Sequence, residues 1–456
     1  MRADYMPSAV KAAMERSLIF SIAAVYIALQ LTQFELLSFI LGGLVFAAIL
    51  VLLPNLKGMT LWLTIFFLVT GVVLLMLQKV SAKIWFESAG INVTIVTLFL
   101  FAPLFGIPVR LPAYVMALKR FYEVNLRSKS ALFVGTQLLT QIMGVFINVG
   151  SIPVVYQMVY VRPQPGMNQL LANALNRGFA GAILWSPYFA AMTLVTSALG
   201  LSWSSVLPYM LGMAVLSLAV SWLVDFRGLL QAEPEEPTQM IEKRERALFP
   251  LGLGLYLIAA IIVILTMERV IELPMVLLIC LAALAFPLLW CLIKGEMTVY
   301  KEGIKNHVTV TLPALQKEIT LFLAAGFFSG SIGVTKLGAM VPSLLEQVPL
   351  PVFITFSFLT VAFIVGTSLI GLHPIVPVTI FAGSFDPSSV QISPIYFAVL
   401  LLGSWALSNP ISPASAVNNL LAGLLKKSVF EVAKPNYKFA GIMALGLLLY
   451  LLVVVR

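Results

Sequence analysis

The sequence predicts an all-α polytopic membrane protein of about 11 transmembrane helices, arranged as two inverted repeats. Each repeat carries a re-entrant hairpin and an interrupted helix. Three observations lead there. First, hydrophobic residues make up 60% of the 456-residue chain and charged residues 10%, with a mean hydropathy of +1.01. A soluble globular domain carries about 25% charge. Second, apolar runs recur throughout, long enough to cross a hydrocarbon core of about 30 Å. Third, the phrase S-P-x-x-A occurs twice, as Ser186-Pro187-Tyr188-Phe189-Ala190 and Ser412-Pro413-Ala414-Ser415-Ala416. Each copy interrupts an apolar segment. Each also follows another Gly/Ser/Pro break, at Asn148–Pro153 and at Gly366–Pro374.

In chain order, residues up to Arg16 read as a short amphipathic or loose cytosolic segment. No small-residue cleavage site follows the first apolar run, so a cleaved signal is not expected. Crossings are expected at 17–33, 36–54, 59–77 and 88–108. Lys57, Arg110, Lys119, Arg120, Arg127 and Lys129 then fall on the cytosolic side, as the positive-inside rule asks. Lys79 and Lys83 are exceptions outside.

Segment 130–161 is apolar but broken at 148–153. A straight span is one reading; a hairpin entering and leaving on the cytosolic side is the preferred one. Broken backbone at that depth requires protein or a water-filled cavity around it. Segment 168–198 is a crossing interrupted at Ser186-Pro187, where proline removes an N–H and clashes with the preceding turn. A crossing at 203–224 leads to a charged linker, 225–246.

The second half repeats this grammar. Crossings are expected at 247–267 and 271–293. A Lys-bearing loop at 294–316 includes His307, and an outward crossing at 317–347 has a Gly/Ser-rich middle. A second hairpin spans 351–384, an interrupted crossing spans 391–425, and a last helix spans 436–455. The units are therefore 1–87, a first repeat 88–224, the linker 225–246, a second repeat 247–434 and a C-terminal helix 435–456. Counting crossings, the two S-P-x-x-A segments run in opposite senses. That is the design expected for alternating access around a midplane site.

The breaks supply the candidate site. Glycine lets a backbone approach a ligand. Helix ends at such breaks offer N–H groups to an anion and C=O groups to a small cation. Substrate contacts are expected from Asn148, Ser151, Ser186, Tyr188, Thr367, Ser368, His373, Asn409, Ser412 and Lys336. Asn148, Gly150, Ser186, Gly366, Ser412 and Asn418 are expected to hold a coupling ion. The bland readings are that Gly, Ser and Thr pack helices closely and that His373 is a satisfied structural histidine. Arg177 is either a snorkelling side chain or a substrate contact.

Glu268, Arg269 and Glu272 read as a solvated outer cluster. No Asp or Glu falls inside either hairpin or interrupted crossing. That favours an anionic or polar substrate held by helix ends and hydroxyls. No Cys/His cluster suggests a metal site beyond Na⁺. No nucleotide loop suggests ATP as the driving force. The net charge of +9 is spread over short loops, which argues against nucleic acid as a partner.

In architecture the chain resembles the ion transporter superfamily over roughly 88–430. That group includes the divalent anion/sodium symporters, the arsenite and citrate permeases, and the large membrane subunits of tripartite ATP-independent periplasmic transporters. The family's sodium symporters carry a Ser-Asn-Thr triplet at both hairpin tips. Here the matching positions read Asn148-Val149-Gly150-Ser151 and Gly366-Thr367-Ser368, a departure from that pattern. The family's other half-sites resemble Ser186–Tyr188 and Ser408–Ser415 here.

The resemblance implies scaffold helices that form a homodimer and a mobile part that moves like an elevator. The expectation is a Na⁺- or H⁺-driven symporter of a small organic anion, with no cofactor, among the lipids of a bacterial or archaeal plasma membrane. An exporter of an oxyanion, drug or lipid-linked solute shares the same grammar. A channel or a membrane enzyme is a rival of a different class.

Overall fold

The computed structural model describes residues 8–126, 128–159, 167–231, 247–335 and 337–456. These residues form helices and no strand. A bilayer admits this solution because each helix satisfies its own backbone polar groups.

The chain opens with α1 (Ser8–Thr32), α2 (Glu35–Leu52) and α3 (Gly58–Leu77). A fourth crossing is segmented into α4 (Ala82–Gly90), α5 (Val93–Phe101) and α6 (Gly106–Val109), and α7 (Pro112–Asn125) follows. Next come α8 (Lys129–Ile147), α9 (Ser151–Val159), α10 (Asn168–Trp185), α11 (Ala190–Ala198) and α12 (Trp203–Gln231). The second half begins with α13 (Leu251–Val270), α14 (Met275–Ile293), α15 (Met297–Asn306) and α16 (Leu312–Ala314). It continues through α17 (Gln316–Gly333), α18 (Leu337–Leu345), α19 (Val352–Leu369) and α20 (Ile375–Ser384). It ends with α21 (Pro394–Ser408), α22 (Ala416–Leu425), α23 (Val429–Ala433) and α24 (Tyr437–Tyr450).

By length and composition, 12 stretches are long enough to cross a membrane, and a 13th arises where Met297–Ala314 meets Gln316–Gly333 at 59°. Two of the 12 belong to hairpins. In the first, a side chain placed on Gly144 would come 3.7 Å from Oγ of Ser151, whereas an unbroken helix separates residues seven apart by about 10 Å. The chain therefore reverses between α8 and α9. In the second, the rings of Phe363 and Phe381 lie 5.9 Å apart and those of Phe356 and Phe385 5.6 Å apart. That pairing zips α19 and α20 together as antiparallel arms.

The two interrupted crossings, α10–α11 and α21–α22, form the centre. In each, 89% of the most apolar stretch is buried, against 22% in α3 and 28% in α13. They run antiparallel. Asn176 on α10 bonds Asn418 on α22, while Ala180 and Leu184 share a small space with Gly403, Ala406 and Leu407 of α21. Small residues bring the hairpins close. A Cβ on Gly178 would lie 2.5 Å from the Gln137 carbonyl oxygen, so α8 and α10 touch backbone to backbone. The Gly-rich face of α17 does the same against the fourth crossing, where a Cβ on Gly326 would meet the Asn92 backbone at 2.9 Å.

Several details depart from the sequence reading. The first helix begins at Ser8, earlier than the expected crossing. The helix after the first interrupted crossing runs on through Asp225 to Gln231, because Asp225 has a buried partner, described below. His307 is not in a loop: it is buried in a π-helical turn and contacts the Leu100 carbonyl at 2.9 Å. The outward crossing ends at Gly333, with α18 a separate short helix. Glu268 is not merely solvated. Its carboxylate accepts from the backbone N–H groups of Trp203 and Ser204, capping the start of α12.

Candidate functional site

The two S-P-x-x-A phrases fold alike. Ser186 has φ −70° and ψ 125°; Ser412 has φ −81° and ψ 125°. Each serine is extended, as the following proline demands. Its Oγ accepts from the N–H two residues on: Tyr188 to Ser186 and Ala414 to Ser412, both at 3.2 Å. The helix restarts in each case at the final alanine, Ala190 or Ala416. This local bond competes with the helical ladder and holds the break open.

Each break lies against its own hairpin. Ser186 donates to the Val145 carbonyl at 3.2 Å, just before the first tip. At the second, the single Ser408 hydroxyl hydrogen goes to the Ser404 carbonyl of its own helix at 2.8 Å, with the Ile364 carbonyl of the hairpin 3.4 Å away. A Cβ on Gly371, at the second tip, would lie 3.8 Å from the Pro413 ring.

The second break is rich in oxygen. The Nδ2 of Asn418 donates toward three backbone carbonyls: Ser412 at 2.8 Å, Pro410 at 3.1 Å and Asn409 at 3.4 Å. Its Oδ1 accepts from Asn176 at 2.6 Å, and Ser415 donates to Oδ1 of Asn409 at 3.0 Å. The Oδ1 of Asn176 is buried with no partner among the described residues. An amide nitrogen carries two hydrogens; Pro410 also accepts from the Asn176 amide at 3.4 Å and Ser412 from the Ser415 N–H at 3.1 Å. A small cation suits such a cage of carbonyl and amide oxygens.

Comparison with solved structures adds a likeness. No protein-family model matches the chain, and no curated protein matches it. A solved structure does: the YdaH transporter of Alcanivorax borkumensis, described as having an unusual topology. It aligns with a TM-score of 0.54 at 15% identity, covering 87% of this chain and 97% of that one. The chain shares a transporter's fold.

At the first tip of this transporter-like fold, Asn148 has φ 53° and ψ −136°, a region that glycine tolerates and other residues enter at a cost of about 1–3 kcal/mol. Ser151 is fully buried, and its Oγ has no partner among the described residues. A Cβ on Gly150 would sit 2.9 Å from Nη2 of Arg110. Arg110 forms no ion pair among the described residues. Tyr188 is buried, with its ring 4.3 Å from that of Phe105, and its hydroxyl donates to Ala260 at 3.4 Å.

At the second tip, Gly366 is exposed, while Thr367 and Ser368 bond back to Phe363 and Ile364 of their own helix. His373 stands between Phe322 and Trp405, and its Nδ1 accepts from Ile375, so it caps α20. Lys336 lies outside the described residues.

The two breaks do not stand side by side. Asn176, which touches the second break, precedes Ser186 by ten residues of unbroken helix, or about 15 Å. Asn409, Ser412, Ser415 and Asn418 come together around one point. Asn148, Gly150, Ser151, Ser186 and Tyr188 gather around the other tip.

Sequence reasoning missed Asn176, because asparagine inside an apolar run had no break to mark it. It also missed the partners of Arg177. That side chain is fully buried: Nη1 lies 2.8 Å from Asp225, Nε donates to Asn436 at 2.9 Å, and the guanidinium stacks 4.7 Å from the Phe439 ring. Arg177 therefore neither snorkels nor reaches a tip. It locks α10 to α12 and to the start of α24.

Proposed function

We propose that this protein is a secondary active transporter of a small organic anion such as a carboxylate, driven by Na⁺ or H⁺. The observation that carries the reading is the carbonyl cage around Asn418. Helix interruption turns the carbonyls of Asn409, Pro410 and Ser412 toward one point, Ser412 keeping a turn bond from the Ser415 N–H, and the Asn418 amide nitrogen stands where they converge. Turning that amide would offer its Oδ1 instead and leave an oxygen shell suited to Na⁺, beside the unpartnered Oδ1 of Asn176.

The restarting helices α11 and α22 and the second hairpin arms α9 and α20 present N-terminal dipoles inside the protein. These favour an anion. Arg110 beside Gly150 adds a positive charge without a carboxylate partner among the described residues.

On this reading each hairpin moves with its interrupted crossing, held at the first by the Ser186 hydroxyl and packed at the second where Gly371 meets the Pro413 ring. The less buried helices α1–α3 and α13 form the scaffold, on which a homodimer would assemble. The likeness to a transporter's fold supports the class of protein.

The test is uptake by proteoliposomes across a panel of carboxylates and oxyanions, with Na⁺ and pH gradients imposed separately. Gradient-driven accumulation should appear for at least one anion and collapse in Ser186→Ala, Asn409→Ala and Ser412→Ala. Retained accumulation in all three variants would remove the breaks from the site. Flux that never exceeds equilibrium would point to a channel instead.

A further inference from the structure

Three contacts fix the His373 ring at the second tip. The Ile375 N–H donates to its Nδ1 at 3.2 Å. The Phe322 ring of α17 lies 5.4 Å away, and the Trp405 ring of α21 meets it edge-on at 5.9 Å. Both aromatic partners are buried. The bond to Nδ1 decides the tautomer. A ring nitrogen that accepts from an N–H carries no proton itself, and a neutral imidazole has one proton to place, so it sits on Nε2. A second proton would set an N–H against the Ile375 N–H. Ionisable groups on the helices around the ring are few. Lys317 and Glu318 stand about one turn before Phe322 on α17, and Tyr396 stands more than two turns before Trp405 on α21, bonded to Ser357. Helices α19 and α20 carry none.

Nε2 therefore holds a proton and has nowhere to give it. It forms no hydrogen bond among the described residues, yet it is not sealed off as Nδ1 of His307 is, and His373 as a whole is half-buried. The tip borders open surface. Gly366 is exposed, and so is Ala414, which follows the Pro413 ring that Gly371 approaches.

We propose that His373 is the recognition donor of the second tip, a neutral imidazole whose Nε2–H receives a carboxylate oxygen of the carried anion. Two features select that group. A lone N–H asks for an acceptor oxygen. The ten-residue helix α20 begins just behind the ring, and its N-terminal dipole end favours an acceptor that is negative. The assignment rests on the transport reading above and names one group that meets the solute. It also leaves any coupling proton to be carried elsewhere, because the bond from Ile375 occupies the nitrogen that a proton would need.

Nuclear magnetic resonance of the full chain labelled with ¹⁵N-histidine is the test, since the chain has two histidines. The His373→Gln spectrum assigns them; should that variant not fold, His307→Gln does so. Nε2 of His373 should resonate as a protonated nitrogen and Nδ1 as a bare one, both unchanged between pH 8 and pH 6. An ordinary histidine, with a pKa of about 6.5, would be about three-quarters protonated at pH 6. Acetate should shift the Nε2 resonance saturably, whereas methylammonium, which offers no acceptor, should not. A proton on Nδ1, titration between pH 8 and pH 6, no acetate response, or an equal response to methylammonium would each overturn the proposal. An acetate response in a protein that fails the uptake test upholds the site and counts against transport alone. Uptake without an acetate response counts against this site alone.

Discussion

Asn176 and Asn418 lie 242 residues apart and meet side chain to side chain at 2.6 Å in the buried centre of the molecule. Through this bond the first interrupted crossing holds the second at its break. Asn418 in turn gathers the three carbonyls that the break releases. Replacing Asn418 with Leu takes the side-chain donor from the Asn409 carbonyl and the acceptor from the Asn176 amide, while Ser412 keeps the Ser415 N–H and Pro410 keeps Asn176. Each orphaned group costs roughly 1–3 kcal/mol. The expected result is a clear fall in unfolding temperature of the detergent-purified protein, together with loss of any Na⁺-dependent stabilisation the parent shows. An unchanged midpoint with Na⁺ stabilisation intact would argue that the cage is incidental.

Arg177 and Asp225 should behave as a buried ion pair. Removing one partner, as in Asp225→Asn or Arg177→Met, leaves the other desolvated and is expected to cost about 3–5 kcal/mol. The double replacement Arg177→Met with Asp225→Leu should recover most of that loss. Thermal unfolding of the singles and the double forms a mutant cycle. Additive losses would mean that the pair does not act as a unit.

The glycine contacts give a contrast within one chain. A methyl on Gly178 runs into the Gln137 carbonyl, so Gly178→Ala should destabilise by about 1–3 kcal/mol. Gly423 is helical and has nothing within 4 Å of an added Cβ. Gly423→Ala should be neutral or stabilise by up to about 1 kcal/mol. Comparing the two unfolding midpoints checks whether close approach, rather than helix propensity, placed the glycine at 178.

Asn148 adopts a backbone geometry better suited to glycine. Asn148→Gly should therefore raise stability by about 1 kcal/mol. If its amide also serves the carried solute or ion, the same change should lower uptake. A more stable protein with full transport would leave the strain without a functional use.

The inverted arrangement predicts sidedness. Cysteines placed at Lys57, Gly295 and Lys427 should label from one face of sealed vesicles. Those at Gly200 and Gln391 should label from the other. All five reacting from one face would overturn the crossing count.

Much of this was legible in the chain. Apolar length and charge spacing determined that the protein is helical and crosses a bilayer about 11 times, because the bilayer imposes those rules locally. Ser186-Pro187 and Ser412-Pro413 marked where two helices open, because proline removes a donor and the serine supplies its own local bond. The breaks read at 148–153 and 366–374 marked two reversals, although α19 runs on through Gly366 to Leu369 before the second one turns. Each of these signals lives within a few residues.

Tertiary structure decided which of these openings meet. Only packing brings Asn176 to Asn418, or Arg177 to Asp225 and Asn436. Each such pair joins residues distant along the chain. The sequence placed Arg177 by its neighbours in the chain and expected water, lipid or substrate around its charge. The fold gave it a carboxylate from a stretch that read as linker. A buried charge can persist in a membrane only where another helix brings its partner, and no local pattern records that meeting.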